Sequence, residues 1–318
     1  MTSIFVTGMG FHVPSERISN AQLASQLDTS EGWLDEHLGI NSRRRSADNE
    51  TTARMGALAL EVALAESSKQ KAEIDLLMCA TATPDLLIPA TACQIGNLLG
   101  INPVSFDIGA TCSGFPYALS VAAAMLQTTR FQCAALVASD RFTRFVDYED
   151  RRTCVFFGDS ASSVLLESTR PHRGLELVDH LLLNRNEGAS TVTMPVHGYF
   201  TQDGRKVREE ALKGFEEVVT CLLSRNHMTS RDLAGFVGHQ ANYRILEQVC
   251  QTLGVPEAKH WHNVREFGNQ GGAGCLTALC QHIQQRKHEL RDGDAVVVAT
   301  FGAGFTMGAL LFRWCNSE

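Results

Sequence analysis

Cys112 is the side chain in this sequence whose surroundings best suit a nucleophile. It lies in Phe106-Asp107-Ile108-Gly109-Ala110-Thr111-Cys112-Ser113-Gly114-Phe115-Pro116-Tyr117-Ala118-Leu119, which reads as a strand end, a tight turn and a helix start. Pro116 is tolerated only in a helix's first turn, and Ala118 to Leu126 is strongly helix-forming. The turn predicts a sulfur at a helix N-terminus, where unpaired N–H groups and the helix dipole favour the nucleophilic thiolate. A small apolar helix behind it, Val121 to Met125, suggests a site embedded in the core; a purely structural buried thiol is the competing reading. Two further turns carry polar groups that could join it. His239 opens His239-Gln240-Ala241-Asn242 between a strand and a helix, and Asn269 lies in the glycine-rich Glu266-Phe267-Gly268-Asn269-Gln270-Gly271-Gly272-Ala273-Gly274, which lacks the lysine of a phosphate loop. The residue types alone also suit a papain-type Cys-His hydrolase.

The elements that must position these turns alternate. A buried strand over 4–8 ends at Gly8 and Gly10; short helices begin at Ser19 and at Thr29 or Ser30, the second carrying Trp33. An alanine-rich helix over 51–68 precedes an apolar strand over 74–80, a turn at Thr81 to Asp85, the aliphatic loop Leu86-Leu87-Ile88-Pro89 and a helix over 91–99. Further strands are expected over 134–140 and across Gly158 within 155–166, with a charged loop over 145–152. Helix alternating with continuous apolar strand marks an α/β protein with a mainly parallel sheet covered on both faces.

The order of elements then repeats. Residues 233–238 resemble 74–79; Gly274, Ala278 and Leu279 repeat Gly114, Ala118 and Leu119; and Phe301-Gly302 with Thr306 and Leu310 repeats Phe157-Gly158 with Ser162 and Leu166. A period near half the chain predicts two similar halves, 1–170 and 171–318, packed about a pseudo-twofold axis, with Pro171 to Leu183 as the crossover. Equivalent turns would meet at the centre, bringing Cys112 to His239, Asn269 and Gly302.

With 318 residues, 44% hydrophobic and 20% charged, the chain can bury a large core. A net charge of −7 with Arg43-Arg44-Arg45 as the one basic triplet argues against a nucleic-acid partner. Ten cysteines without C-x-x-C spacing point to a reducing cytoplasm and to no zinc or iron–sulfur site. Neither a signal peptide nor an apolar run near the ~20 residues of a membrane span is visible, so a cytoplasmic protein that makes no use of a membrane is expected.

Taken together, Thr111-Cys112-Ser113-Gly114-Phe115, His239-Gln240-Ala241-Asn242, Phe267-Gly268-Asn269 and Phe301-Gly302-Ala303-Gly304-Phe305-Thr306, with Asp150-Arg151 and Phe157-Gly158-Asp159, closely resemble the β-ketoacyl-acyl-carrier-protein synthase III family of the thiolase superfamily over nearly the full length. The resemblance implies a five-layered α-β-α-β-α duplication, a homodimer and a two-stage Claisen condensation, with acyl-CoA and a malonyl thioester on carrier protein or CoA as substrates and no permanently bound cofactor. Cys112 would be acylated; His239 and Asn269 would stabilise the malonyl-derived enolate as neutral donors; the backbone N–H groups of Cys112 and Ala303 would hold the tetrahedral oxyanion. By the same resemblance Trp33 and Arg151 match residues that sandwich the adenine of CoA, Asn242 would face the pantetheine, Arg244 matches a carrier-protein contact, and Leu87 or Ile88 would cross the dimer into the other subunit's acyl pocket.

The sequence departs from the family pattern at Gly238 in place of proline, at Gln270-Gly271-Gly272 in place of T-S-A, and at Ala303 in place of glycine. The helix after His239 carries Gln248, Gln251 and Thr252 and few cations, a thin patch for an acidic carrier protein. These differences favour a specialised starter-unit step over fatty-acid initiation. A non-decarboxylative acyltransferase on the same scaffold and a non-catalytic subunit of a heteromeric synthase are the alternatives.

Overall fold

The computed structural model describes residues 2–316. Strand β1 (Ile4–His12) runs straight through Gly8 and Gly10 instead of ending there. A Cβ on Gly8 would lie 2.4 Å from the Ala63 carbonyl oxygen, and one on Gly10 2.4 Å from the Ala63 nitrogen, so these glycines let a helix backbone press against the strand. A small hairpin of β2 (Glu16–Ser19) and β3 (Ser42–Arg45) frames α1 (Asn20–Gln26), which is capped by Ser19 and Gln22, and α2 (Glu31–Leu38), which is capped by Ser30. Next come α3 (Thr52–Ala65), the helix that covers Gly8 and Gly10, then β4 (Leu76–Ala80), α4 (Thr91–Leu99), β5 (Val104–Ile108), α5 (Gly114–Thr128), β6 (Cys133–Arg141) and β7 (Asp159–Glu167).

The segment expected as a crossover is instead the twelve-residue strand β8 (Arg173–Asn184), which pairs antiparallel with both β1 and the last strand. Its Glu176, Asp179 and His180 interrupt the apolar pattern because the strand is only half-buried. A small antiparallel pair of two-residue strands, β9 (Val192–Thr193) and β10 (Thr201–Gln202), leads to α6 (Gly204–Arg225), β11 (Leu233–Gly238), α7 (Tyr243–Leu253), α8 (Val264–Phe267), α9 (Gly274–Arg286), β12 (Ala295–Gly302) and β13 (Thr306–Asn316).

The strand order β11-β12-β13-β8-β1-β7-β6-β4-β5 contains the duplication. In the first half β4 and β6 are parallel, β7 is antiparallel to β6, and β1 follows; in the second β11 and β12 are parallel, β13 is antiparallel to β12, and β8 follows. The counterpart of β5 shrinks to a single bridge between Phe236 and His260. Alternate side chains of each strand serve different layers. Met78, Leu136 and Val164 from one half and Val296, Leu310 and Phe312 from the other pack on Leu119 of α5 and Leu279 of α9. The intervening Leu77, Cys79 and Val137 pack under α3 and α4, and Val297, Ala299 and Leu311 under α6 and α7. The result is the expected five-layered α-β-α-β-α arrangement, with α5 and α9 as the central layer. Among the described residues no helix is long and apolar enough to cross a membrane.

Candidate active site

Cys112 sits in a single 3-10 turn, Thr111–Ser113, that runs directly into α5 at Gly114. Thr111 adopts a left-handed backbone, φ 46°, a costly conformation for a β-branched residue that the surroundings must enforce. They do so through the β12–β13 turn. Ser113 Oγ donates to the Thr306 carbonyl at 3.0 Å, Thr306 Oγ1 donates to the Ala110 carbonyl at 3.3 Å, and Thr111 Oγ1 and Thr306 Oγ1 both donate to the Ala303 carbonyl, at 3.4 and 3.2 Å. Gly302 allows this approach: a Cβ there would stand 2.6 Å from Thr111 Oγ1 and 3.1 Å from the Cys112 nitrogen. Among the described residues, neither the Cys112 nor the Ala303 N–H has a backbone acceptor outside the regular elements, as the expected oxyanion role requires. Gly302→Ala is expected to part the two turns and slow acylation of Cys112 by roughly 10²-fold, the scale of loss from a displacement near 1 Å; a wild-type rate of acyl-enzyme formation by mass spectrometry would contradict this.

His239 follows β11 and is buried. The loop is held by Gln240, whose Nε2 donates to the Gly238 carbonyl at 2.6 Å and whose Oε1 accepts from the N–H groups of Asn263 and Val264 at 2.9 and 3.0 Å. Gly238, where the family pattern has proline, leaves room for Leu246: a Cβ there would meet Leu246 Cδ2 at 2.3 Å. Burial pushes the His239 imidazole down to about 4, so it is neutral at physiological pH. Asn269 is clamped through its backbone, its N–H donating to the Phe156 carbonyl at 2.8 Å and its carbonyl accepting from Gly158 at 2.9 Å. Its side-chain Oδ1 accepts from the Gly271 N–H at 3.0 Å, which leaves the Nδ2 donor for the cavity.

Cys112, His239 and Asn269 line one cavity of about 410 Å³, together with Asn242 and an aromatic wall. In that wall Phe142 stacks on Phe157 at 4.8 Å, and Phe200 meets Phe157 edge-on at 4.8 Å. Phe142 and Phe200 escaped the sequence reading because they come from separate loops with no shared motif. One expectation is corrected. The position before α5 does not make Cys112 a resting thiolate: burial pushes its thiol up, the Asp140 carboxylate adds to this, and only its own N–H acts in the opposite sense.

The remaining expected residues lie at varying distances from this centre. Asn242 lines the cavity, but its Oδ1 also caps α7 by accepting from the Arg244 and Ile245 N–H groups. Trp33, 38% exposed, stacks on His37 at 4.5 Å and carries the Arg151 guanidinium 5.9 Å over its other face. Two stacked layers of about 3.5 Å each need more room than that, so Arg151, which donates to the Asp28 carbonyl, must move for a base to enter. Arg244 donates through Nε to the Glu36 carbonyl at 3.0 Å, tying α7 to the end of α2. Leu87 and Ile88, 79% and 84% exposed, lie away from the cavity of their own chain.

A duplicated five-layered α/β sandwich with a cysteine, a neutral histidine and an asparagine around one central cavity defines a condensing enzyme of the thiolase type. Family profiles for 3-oxoacyl-acyl-carrier-protein synthase III match residues 106–181, and for its C-terminal part residues 223–314. A β-ketoacyl-acyl-carrier-protein synthase III of Sphingopyxis alaskensis is 36% identical over 96% of this chain and 97% of its own length. The crystal structure of 3-oxoacyl-(acyl carrier protein) synthase III from Pseudomonas aeruginosa superposes with a TM-score of 0.92 at 31% identity, covering 99% of both chains. The priming β-ketosynthase of the R1128 polyketide pathway gives 0.90 at 28% identity, over 99% of this chain and 97% of that one. The chain belongs to the β-ketoacyl-acyl-carrier-protein synthase III family.

Proposed function

We propose that the protein primes chain synthesis by decarboxylative Claisen condensation. The observation that carries this is the neutral His239 and the free Nδ2 of Asn269 sharing the Cys112 cavity. Cys112 sulfur attacks the carbonyl of an acyl-CoA, the C–S bond to CoA breaks, and the thiol proton leaves with CoA. A malonyl thioester then loses carbon dioxide; its electron pair becomes an enolate whose oxygen is met by two neutral donors that cannot quench it by protonation. The enolate carbon attacks the acyl-Cys112 carbonyl, a carbon–carbon bond forms, and the cysteine sulfur leaves and regains a proton. The likeness to a priming ketosynthase supports a starter-unit step alongside fatty-acid initiation. Intact-protein mass after incubation with a panel of acyl-CoA donors tests the first stage: one acyl group should appear, on Cys112. Carbon dioxide release separates condensation from simple acyl transfer to an amine or hydroxyl.

Trp33 and Arg151 are read as the adenine clamp, Asn242 as the wall of the pantetheine channel, and Arg244 as a contact for an acidic carrier protein. A second copy of the chain completes the molecule. β5 is hydrogen-bonded on one edge only, its Val104 is exposed, and so are Leu86, Leu87 and Ile88 in the loop before α4, at about 1.5–3 kcal/mol per aliphatic side chain left uncovered. A homodimer through this edge would cover them and send Leu87 or Ile88 toward the partner's acyl cavity. Replacing either with alanine is expected to shift acylation toward longer donors, since one methylene of pocket length discriminates by about 1–3 kcal/mol. A monomer by light scattering, or a chain-length profile unmoved by both substitutions, would sink this reading.

A further inference from the structure

Asp140, the penultimate residue of β6, is fully buried beside the site, and the reaction as derived above makes no use of it. Its Oδ1 accepts from the Ala82 N–H at 2.8 Å, Thr83 Oγ1 at 2.9 Å and Thr81 Oγ1 at 3.1 Å, and its Oδ2 from the Gly272 N–H at 2.7 Å. All four donors are neutral, and among the described residues no cation pairs with it. The titratable groups that feel its charge are Cys112 in the nucleophile turn and Cys79 on β4.

What this carboxylate grips is the turn after Asn269. A Cβ on Gly272 would lie 2.8 Å from the Thr111 carbonyl oxygen and 3.3 Å from Asp140 Oδ2, so the residue is wedged between the carboxylate and the residue preceding Cys112. Gly271, at φ 58°, would place a Cβ 2.3 Å from the Phe142 ring and 2.5 Å from Asp140 Oδ2, and its N–H is the donor that orients the Asn269 side chain. The glycine pair that departs from the family pattern is therefore what lets Asp140 and Phe142 close on this turn. Thr81 and Ala82, held by the other carboxylate oxygen, line the reaction cavity.

We propose that Asp140 is a positioning residue of this site: its carboxylate, paired with no cation among the described residues, locks the Asn269 turn against the Cys112 turn from behind the nucleophile. The proposal rests on the roles given to Cys112 and Asn269 above. In Asp140→Asn the charge is gone and an amide N–H faces the Gly272 N–H, so thiol reactivity and malonyl decarboxylation respond in opposite directions. Alkylation of Cys112 by iodoacetamide, followed on its own peptide by mass spectrometry, is expected to rise about tenfold near pH 7–8, because each unit of lowered pKa gives tenfold more thiolate. Malonyl decarboxylation is expected to fall roughly tenfold to a hundredfold, while acylation by acyl-CoA is undiminished or faster, in step with the added thiolate. Gly272→Ala pushes the same turn but keeps the carboxylate, so decarboxylation should fall while the alkylation–pH curve stays in place. Alkylation no faster in Asp140→Asn, equal loss of both half-reactions, or a wild-type decarboxylation rate in Gly272→Ala overturns the proposal. If Asp140→Asn does not fold, Gly272→Ala decides. Alkylation needs no substrate, so its outcome holds even if the condensation reading fails.

Discussion

Cys112→Ser is expected to abolish formation of the acyl-enzyme, with a loss of roughly three orders of magnitude or more, the scale seen when a nucleophile is removed from an acyl-transfer site. Burial and the Asp140 charge already hold the thiol above its ordinary range. A serine hydroxyl in the same place is far harder to ionise and finds no adjacent base, since among the described residues no side chain hydrogen-bonds to the Cys112 sulfur. The fold should survive, because the swap is nearly isosteric and Gly302, Ser113 and Thr306 still hold the turn. The raised thiol sets the sign of a pH effect as well: thiolate becomes more abundant as pH rises, so wild-type acylation should accelerate steadily through neutrality. An acylation rate that falls as pH rises from 7 to 9 would show that the thiolate is not the limiting species, and undiminished label in the serine variant would place the nucleophile elsewhere.

The second large effect separates the two stages. His239→Ala and Asn269→Ala are each expected to cut malonyl decarboxylation by roughly two to three orders of magnitude, the loss typical of one oxyanion donor, while leaving acylation of Cys112 largely intact. The imidazole must be neutral to serve as a donor beside a carbanion. Because burial lowers its pKa to about 4, it stays neutral down to that range and becomes charged only below it. The part of the acid limb that depends on His239 should therefore lie near pH 4, well under the 6.5 of a free imidazole, and should vanish in His239→Ala. Equal damage to both half-reactions in both variants would count against the division of labour.

The three turns that meet at the cavity were legible in the sequence because each carries its own local signature: Pro116 behind Cys112 and the apolar run before His239, both at strand–turn–helix junctions, and the glycines around Asn269 between α8 and α9. The duplication was legible for the same reason, since Gly114 and Gly274 open equivalent central helices. β8 was not, because a half-buried strand interrupted by Glu176, Asp179 and His180 looks like a polar connection. The state of Cys112 was misjudged because the helix end is a local feature whereas burial is collective, built from the cavity walls and a carboxylate on β6. Asp140 itself was invisible as a functional residue: its four donors come from residues 81–83 and from Gly272, more than 130 positions away. The aromatic wall was missed likewise, since Phe142 and Phe157 meet only when β6 and β7 pair, with Arg141 opposite Asp159, and Phe200 reaches them from the β9–β10 loop.

The central claim is that a carbon–carbon bond forms at Cys112 at the expense of a malonyl carboxyl group. It is tested most directly by supplying acyl-CoA with a malonyl thioester labelled in its free carboxyl carbon, on carrier protein and separately on CoA, and counting both products. The account predicts one labelled carbon dioxide for each β-ketoacyl thioester formed, with formation of that product dependent on acyl-CoA and absent in Cys112→Ser. An acyl product formed from Cys112 with no carbon dioxide released would contradict it and identify the protein as a simple acyltransferase.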